Sequence, residues 1–370
     1  MKKTESSTTG TKFLTTFVAA FIAIAGLFAI DTFLARVDEA ESHAEATRLF
    51  AQGRRLMAEG KNNEAAERLK EAIAIERENS QYELVLAQAW LAAGKPAQAQ
   101  AVLADLLEGD STDAQSNLLM ARVLVREGKI ADAVSYYHRA IYGHWNQNAP
   151  ANRLSARFEL IDLLAQRGTR EELLAELLPV EEEDPEDTET RMRLGKLFLE
   201  AGSTMRAAAI FRSLLHDHPG QADALAGLGE AEFASGDYRG ARNDFAGALR
   251  INPADREASA RLEVCEQMLA LDPARRGLNA EQRFERSRTI LQLVVNEASG
   301  CVASHPSTEV QDLLEKARSA LSRRITASRR DDVFESNIDL AEQLWQAAGK
   351  TCGKAPGDEP LALILMRLAQ

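Results

Sequence analysis

The chain has 370 residues and a formal net charge of −12 at pH 7, with 56 acidic side chains against 44 basic ones. A general nucleic-acid binder needs a basic face against the phosphates, so we expect no nucleic-acid partner. Aromatic residues make up only 6% of the sequence, whereas alanine and leucine are abundant. This composition favours close packing of helices.

An uncharged apolar run follows the short polar N-terminus, residues 1–12. It covers the 18 residues 13–30, and residues 32–34 can extend it. At about 1.5 Å per helical residue, the run nearly spans a bilayer core. It therefore predicts a transmembrane signal anchor over residues 13–34, with the lipid bilayer as a partner. The alternative is a cleaved signal peptide, although no small-x-small cleavage site follows directly.

The charges that flank this run predict its orientation. Lys2, Lys3 and Lys12 precede it, whereas Asp31 and Asp38 follow it. Because the positive flank of a span stays in the cytoplasm, residues 1–12 are expected to form a cytoplasmic tail and residues 35–45 a helical stalk. For a bacterial source, this predicts a single-pass protein of the inner (cytoplasmic) membrane whose repeat domain is periplasmic.

Glycine recurs at a constant spacing through the middle of the chain. Two sets are each spaced by 34 residues: Gly60, Gly94 and Gly128, then Gly168, Gly202 and Gly236. The step between the sets is 40, because six extra residues lie near 143–148. A period of this length indicates stacked supersecondary units, each of which needs neighbours to bury its apolar faces.

The stretch 222–255 shows the repeated unit most clearly. It contains Leu225-x2-Leu228, then Ala241-x3-Phe245, then Pro253. This pattern resembles the tetratricopeptide repeat (TPR) family, in which W-x2-L-G-x2-Y, A-x3-F and P follow one another over about 34 residues. The resemblance covers about residues 46–255. It implies an all-α fold, a TPR superhelical solenoid of helical hairpins.

The register of the repeats divides the rest of the chain. Residues 46–147 hold TPR repeats one to three, residues 148–153 an insertion, and residues 154–255 repeats four to six. Trp145 lies beside the insertion, which is either a longer surface loop or a docking point, since an exposed tryptophan is typical of binding hot spots.

Residues 256–370 are expected to form a partial seventh repeat and a C-terminal helical cap. The pattern predicts helices at 256–271, 280–298, 307–328, 332–348 and 360–369. The alternative to a cap is a separate docking module. Cys301 and Cys352 are expected in loops after two of these helices, where they can form a disulfide if the domain lies outside the cytoplasm. Cys265 is expected to be a small core residue.

The resemblance also implies a binding groove, because in this family the first helix of each repeat lines a concave surface. Counting from each repeat's start gives an apolar row and a polar, partly basic row: Phe50, Leu84 and Leu118, then Arg54, Gln88 and Arg122, with Arg126 beside them. Such a groove suits an extended or helical peptide with apolar anchors and some acidic groups. The alternative is an ordinary scaffold surface.

No catalytic motif occurs in the sequence. A phosphate-binding G-x-x-x-x-G-K-[ST], a G-x-S-x-G elbow, an H-E-x-x-H zinc motif and a C-x-x-C-H haem site are all missing. We therefore expect no catalytic residues, no metal and no cofactor.

One anchor, many repeats and no catalytic constellation predict a non-enzymatic protein-binding adaptor or scaffold. It would support assembly of an envelope or membrane protein complex. The alternative is a permanent structural subunit of a large membrane enzyme or secretion complex, with residues 361–368 buried in a subunit interface. A third hypothesis is an enzyme or sensor that uses the C-terminal helices.

Overall fold

A computed structural model describes residues 7–167, 169–183, 185–326, 330–353 and 360–368. For residues 7–26, 331 and 332 it describes the backbone alone. These described residues form seventeen α-helices and no strand, so the all-α class is confirmed. Three sequence predictions lie outside them: the repeat-four glycine Gly168, the loop residues 354–359 and the first six residues of the N-terminal tail.

The chain divides into two compact units, Met1–Leu163 and Leu164–Gln370. The first seven helices are α1 Ser7–Ala58, α2 Asn62–Ile75, α3 Ser80–Ala92, α4 Pro96–Gly109, α5 Ala114–Arg126, α6 Ile130–Tyr142 and α7 Ala149–Arg167. The next six are α8 Arg170–Glu182, α9 Thr188–Glu200, α10 Thr204–Asp217, α11 Ala222–Ala234, α12 Tyr238–Ile251 and α13 Arg256–Leu271. The last four are α14 Ala280–Ser304, α15 Thr308–Ser322, α16 Arg330–Cys352 and α17 Pro360–Leu368.

The periodic glycines form the turn inside each hairpin of the first unit. Gly60, Gly94 and Gly128 have φ angles of 76°, 74° and 76°, in the left-handed region that favours glycine. The next amide closes each turn, as when Lys95 N donates to the Trp90 carbonyl at 2.9 Å. This is the Schellman ending of an α-helix, and it explains the 34-residue spacing in the sequence.

Side-chain caps begin the first helix of several hairpins. The Asp113 carboxylate accepts from Ser116 N at 2.8 Å at the start of α5. Asp187 and Asp255 cap α9 and α13 in the same way. Because such caps satisfy amides that have no partner within the helix, the Asx residue before each of these helices fixes where its hairpin begins.

The membrane prediction is contradicted. Within the described part of the chain, none of the helices combines the length and the apolar character needed to cross a bilayer. From Leu27 onward α1 carries Asp31, Arg36 and Asp38, whereas a span needs about 20 mostly apolar residues in succession. The predicted single-pass inner-membrane location, with a periplasmic repeat domain, is therefore corrected. Residues 13–26 of the predicted anchor are described by backbone alone.

Phenylalanines fill the interior of the second unit. Phe198, Phe211 and Phe245 are completely buried or nearly so. Phe211 packs against Gly195 and Gly227, where a Cβ atom would lie 2.7 Å and 2.5 Å from its ring. The bulky residue of each second helix is thus accommodated by small residues on the neighbouring first helices, as the repeat pattern predicts.

The C-terminal helices form their own core. Ile364 and Leu365 of α17 are each 1% exposed and belong to a cluster that includes α13, α14 and α16 residues. Arg367 also pairs with Asp272 at 2.5 Å. The alternative hypothesis, a permanent structural subunit, placed residues 361–368 in a subunit interface. That expectation is corrected, because the apolar face of α17 is already covered by its own chain.

Cys301 and Cys352 form a disulfide whose Cα atoms are 6.0 Å apart. Both cysteines lie in helices, not in the expected loops, since α14 continues past Gly300 to Ser304 and α16 ends at Cys352. Cys265 is a completely buried free cysteine on α13.

Candidate functional site

Three first helices of the first unit bring polar side chains to one cleft of about 200 Å³. Gln88 comes from α3, Gln115 and Arg122 from α5, and Asn152 from α7. The remaining lining residues are Leu118, Leu119, Trp145 and Ser155. We call this space the inner cleft. Its volume suits a side chain or a short length of main chain, since sites for drug-sized ligands are usually larger, about 300–1,000 Å³.

A second space of about 430 Å³ adjoins the inner cleft through Gln115, which lines both. We call it the outer pocket. It lies where α3 and α5 begin and α4 ends, and its lining residues are Ser80, Gln81, Leu84, Leu106, Asp110, Asp113, Gln115, Ser116, Asn146 and Gln147. Because Gln115 lines both spaces, they are neighbours, and we refer to the two together as the recess.

The inserted loop, residues 143–148, forms one wall of both spaces. The main chain of His144 donates to the Thr112 carbonyl at 2.9 Å and accepts from Ala114 N at 3.1 Å. Asn152 donates its side-chain amide to the Gln147 carbonyl at 2.8 Å. The expected loop is also shorter than the sequence indicates, because α7 begins at Ala149 and residues 149–153 are helical. These bonds make the loop a fixed wall.

Only glycine fits at the first position of this loop. A Cβ atom on Gly143 would lie 2.6 Å from the Arg139 carbonyl oxygen and 2.7 Å from that of Thr112. Both neighbours are backbone atoms, which cannot move aside as a flexible side chain can. Gly143 therefore permits the close approach that joins the loop to the α4–α5 connection.

Trp145 does not project into solvent. Its side chain is 8% exposed, and its indole Nε1 donates to the Ala140 carbonyl at 3.0 Å. The expectation of an exposed tryptophan is therefore wrong. Because a buried indole needs a partner for its N–H group, the end of α6 supplies one, and the ring forms part of the cleft's base.

Among the described residues, the only cation that lines the inner cleft is already paired. Arg122 donates from Nε and Nη2 to the two carboxylate oxygens of Glu159, at 2.9 Å and 2.6 Å. These bonds raise the pKa of Arg122. The Tyr137 hydroxyl lies 3.5 Å from the same carboxylate, and burial, followed by the Glu159 charge, raises the pKa of Tyr137 to about 12. The net charge presented by this pair is close to zero.

The described residues that line the outer pocket include two carboxylates and no basic side chain. Asp110 accepts from the amide and the hydroxyl of Thr112, at 2.9 Å and 2.7 Å, and these bonds hold the pKa of Asp110 below its usual value. Asp113 caps α5. Asp110 is consequently charged at neutral pH.

Four of the groove residues expected from the sequence line this recess: Leu84, Gln88, Leu118 and Arg122. The other three lie elsewhere. Phe50 stacks on Tyr82 with ring centroids 4.5 Å apart, and Arg54 lies over the Phe50 ring at 5.9 Å. Arg126 is exposed on α5. Their proposed binding role remains a prediction.

The sequence reasoning missed the amides and aspartates at the start of the first helices. Gln81 and Gln115 occupy the same repeat position, 34 residues apart, which is a signal that was present in the repeat register. Asn152 and Ser155 had no such signal, because the insertion shifts α7 out of phase.

Comparison with protein families gives two matches to tetratricopeptide repeat models, over residues 56–123 and 192–256. The chain is a tetratricopeptide repeat protein. Among curated proteins, none matches the sequence significantly.

Solved structures with TPR folds cover much of this TPR chain at low identity. YrrB, described as a TPR protein with an unusual peptide-binding site, is 21% identical, with a TM-score of 0.43 over 54% of this chain and 99% of its own. Part of a TPR protein from Cytophaga hutchinsonii is 14% identical, with a TM-score of 0.47 over 66% and 95%. A TPR protein from Parabacteroides merdae is 17% identical, with a TM-score of 0.40 over 80% and 99%. At this level, the neighbours carry no information about what this chain binds.

Proposed function

We propose that this TPR protein is a non-enzymatic adaptor that binds an extended peptide segment of a partner protein in the recess of its first unit. By holding that partner, it supports the assembly of a protein complex. The observation that carries this proposal is the set of side chains that adjacent first helices direct to one cleft.

The amides of the inner cleft suit the main chain of a peptide. In the described part of the chain, the side chains of Gln88, Gln115 and Ser155 form no hydrogen bond with other protein groups. A glutamine side chain carries both donors and acceptors, so it can pair with the N–H and C=O groups of a bound strand. Leu118 and Trp145 add apolar surface beneath them.

The spacing of the helices also fits an extended ligand. Packed helices lie about 8–10 Å apart, and an extended chain advances about 3.3 Å per residue. Successive first helices therefore meet about every third residue of a peptide that crosses them. This geometry is characteristic of binding surfaces on stacked repeats.

A site-specific photo-cross-linker tests the proposal. It would replace Ser155, which is exposed and lines the inner cleft, in the full-length protein within the cells that produce it. Ser135, which is exposed on the second helix α6, provides the matched control position. We expect one defined partner to cross-link from position 155 and not from position 135.

Equal cross-linking from both positions, or none from position 155, would contradict the adaptor proposal. A second variant, Gln115→Ala, should reduce the cross-linked fraction from position 155, because Gln115 lines both spaces. The alternative function, a permanent structural subunit, would place α17 in a subunit interface, and the apolar face of α17 is covered by its own chain.

A further inference from the structure

We propose that the outer pocket binds the side chain of a lysine or arginine, so that the recess selects a peptide with a basic anchor residue. This inference rests on the proposed function, because it names the chemistry of the segment that the adaptor holds. A basic peptide differs from the acidic one that the sequence pattern favours. The difference arises because the carboxylates of the outer pocket can bind a ligand, whereas Arg122 is already paired with Glu159.

The shape of the outer pocket fits a long side chain with a polar end. Leu84 is 9% exposed and Leu106 is partly buried, and both line the pocket. Lysine and arginine place their methylene groups along such apolar surface while the charged group reaches a polar rim. At about 430 Å³, the pocket has room for the side chain and for the main chain that carries it.

Two carboxylates of the pocket can pair with a cation. Asp110 uses Oδ1 for Thr112, and the Asp113 amide also bonds the Asp110 carboxylate. Asp113 uses Oδ2 for Ser116 N, and its Oδ1 has no hydrogen-bond donor in the part of the chain that the structure describes. An ammonium or guanidinium group would bond Asp113 Oδ1 and pair with the charge of Asp110.

A nearly buried serine also lines the pocket. Ser116 is 2% exposed. Its hydroxyl oxygen is not among the fully enclosed polar atoms of the described residues that lack a partner, so it is open to the pocket. It can accept a hydrogen bond from the nitrogen of an entering side chain.

The helix N-termini at the pocket do not convert it into an anion site. Free N-terminal amides attract anions, but three of the first-turn amides here have partners. Ser116 N donates to the Asp113 carboxylate, and Ala114 N donates to the His144 carbonyl. Tyr82 N donates to the Asn79 side-chain oxygen. The negative end of α4 also lies at this pocket, at Asp110, and it favours a cation.

The neighbouring inner cleft offers an acidic residue no free counter-charge. Arg122 is the only basic residue among its described lining residues, and its Nε and Nη2 atoms donate to Glu159. An acidic side chain there would compete with Glu159 for the same positive charge. The recess therefore consists of an anionic outer pocket beside an inner cleft with no net charge. Such a recess fits a peptide in which a basic residue is followed by uncharged ones.

Selection of random phage-displayed peptides on the full-length protein tests the inference, with Asp110→Asn as the variant and Asp132→Asn as the control. The asparagine keeps an acceptor for Thr112, and Asp132 is an exposed carboxylate on α6. We expect enriched peptides to share one lysine or arginine. The Asp110→Asn change should weaken their binding about two- to fivefold at low salt, with no change for Asp132→Asn and a smaller difference at high salt.

The outcomes separate this inference from the proposed function. Enriched peptides that lack a basic residue, or that bind Asp110→Asn as tightly as the wild type, would overturn the basic anchor and leave the adaptor role intact. If no peptide is enriched on the wild type and the cross-linker at position 155 also captures nothing, both proposals fall. Enrichment of acidic peptides that Arg122→Ala abolishes would show that the sequence-based expectation was correct.

Discussion

Arg122 on α5 and Glu159 on α7 are joined by two parallel hydrogen bonds, at 2.9 Å and 2.6 Å. The pair lies 37 residues apart in sequence, and it connects consecutive first helices at the edge of the inner cleft. Because each charge cancels the other, the pair holds the geometry of the cleft without giving it a net charge.

A double-mutant cycle on this pair should show a coupling energy of about 0.5–1 kcal/mol at low salt, since both side chains are partly exposed. The variants are Arg122→Ala, Glu159→Ala and their combination, measured by urea unfolding. Arg68 and Glu71, which pair within one helix at 2.8 Å, provide the comparison at about 0.3–0.5 kcal/mol. Strictly additive effects of the two changes at low salt would contradict the coupling.

Gly143→Ala should destabilise the first unit by about 1–3 kcal/mol, because the new methyl group meets two backbone carbonyl oxygens. Thermal unfolding gives the size of the effect, and peptide binding shows whether the cleft wall has moved. Gly109→Ala is the matched control, because a Cβ atom on Gly109 would have no neighbour within 4 Å. That change should be neutral or slightly stabilising at the end of α4. Equal effects of the two substitutions would argue against the close contact.

The carboxyl group of Asp244 predicts a pH dependence in the second unit. Burial, followed by the nearby Glu232 charge, raises the pKa of Asp244 to about 7, compared with about 3.9 in an unfolded chain. At pH values between these two pKa values, the folded state binds more protons than the unfolded state. Stability therefore falls as the pH rises from about 4 to about 7.

Asp244→Asn should accordingly raise the melting temperature at pH 8 and leave it nearly unchanged at about pH 3, where the carboxyl group is mostly protonated in both states. Asp312→Asn, at an exposed position on α15, controls for the loss of one negative charge. Equal stabilisation at both pH values, or the same gain from Asp312→Asn, would refute the assignment to Asp244.

The Cys301–Cys352 disulfide closes a loop with a sequence separation of 51. Its removal should lower the free energy of unfolding by about 2–4 kcal/mol. Urea unfolding with and without dithiothreitol measures this, with Cys301→Ser/Cys352→Ser as the variant that reductant should not affect. Cys265→Ala should keep the sensitivity to reductant. Alkylation of all three cysteines without prior reduction would show that the bond is absent.

Ile364→Ala should destabilise the second unit by about 2–4 kcal/mol, because the side chain is 1% exposed within the C-terminal core. Met366→Ala, at a partly exposed position on the same helix, should cost clearly less. Thermal unfolding distinguishes them. If the isoleucine substitution has no effect, α17 does not belong to this core and its apolar face would again be free for a partner.

The sequence was informative wherever a backbone requirement repeats. A left-handed turn needs glycine, so Gly60, Gly94 and Gly128 reveal the hairpins directly. The sequence was less informative about where α14 ends. Gly300 does not end that helix, which continues to Ser304, two residues before Pro306. A glycine weakens a helix by only about 1 kcal/mol, and tertiary packing outweighs that amount.

The candidate site was only partly predictable from the sequence. Leu84 and Gln88 follow from the repeat register, and the recess contains both. The Arg122–Glu159 pair does not follow, because the inserted residues change the offset between α5 and α7. The burial of Trp145 depends on a backbone carbonyl at the end of α6, which accepts its indole N–H group. No local sequence pattern predicts such a partner.

The inserted loop has a further consequence for how this protein acquired its specificity. Duplication of a unit copies its surface along with its core, so identical units would present the same recognition surface several times over. The recess occurs where two units differ, and its wall is the segment that interrupts the period. Deleting residues 143–148 would make the array more regular and remove the wall. Under the proposed function, selectivity therefore depends on the segment that departs from the repeat, and this segment can change without altering the contacts that keep the helices stacked.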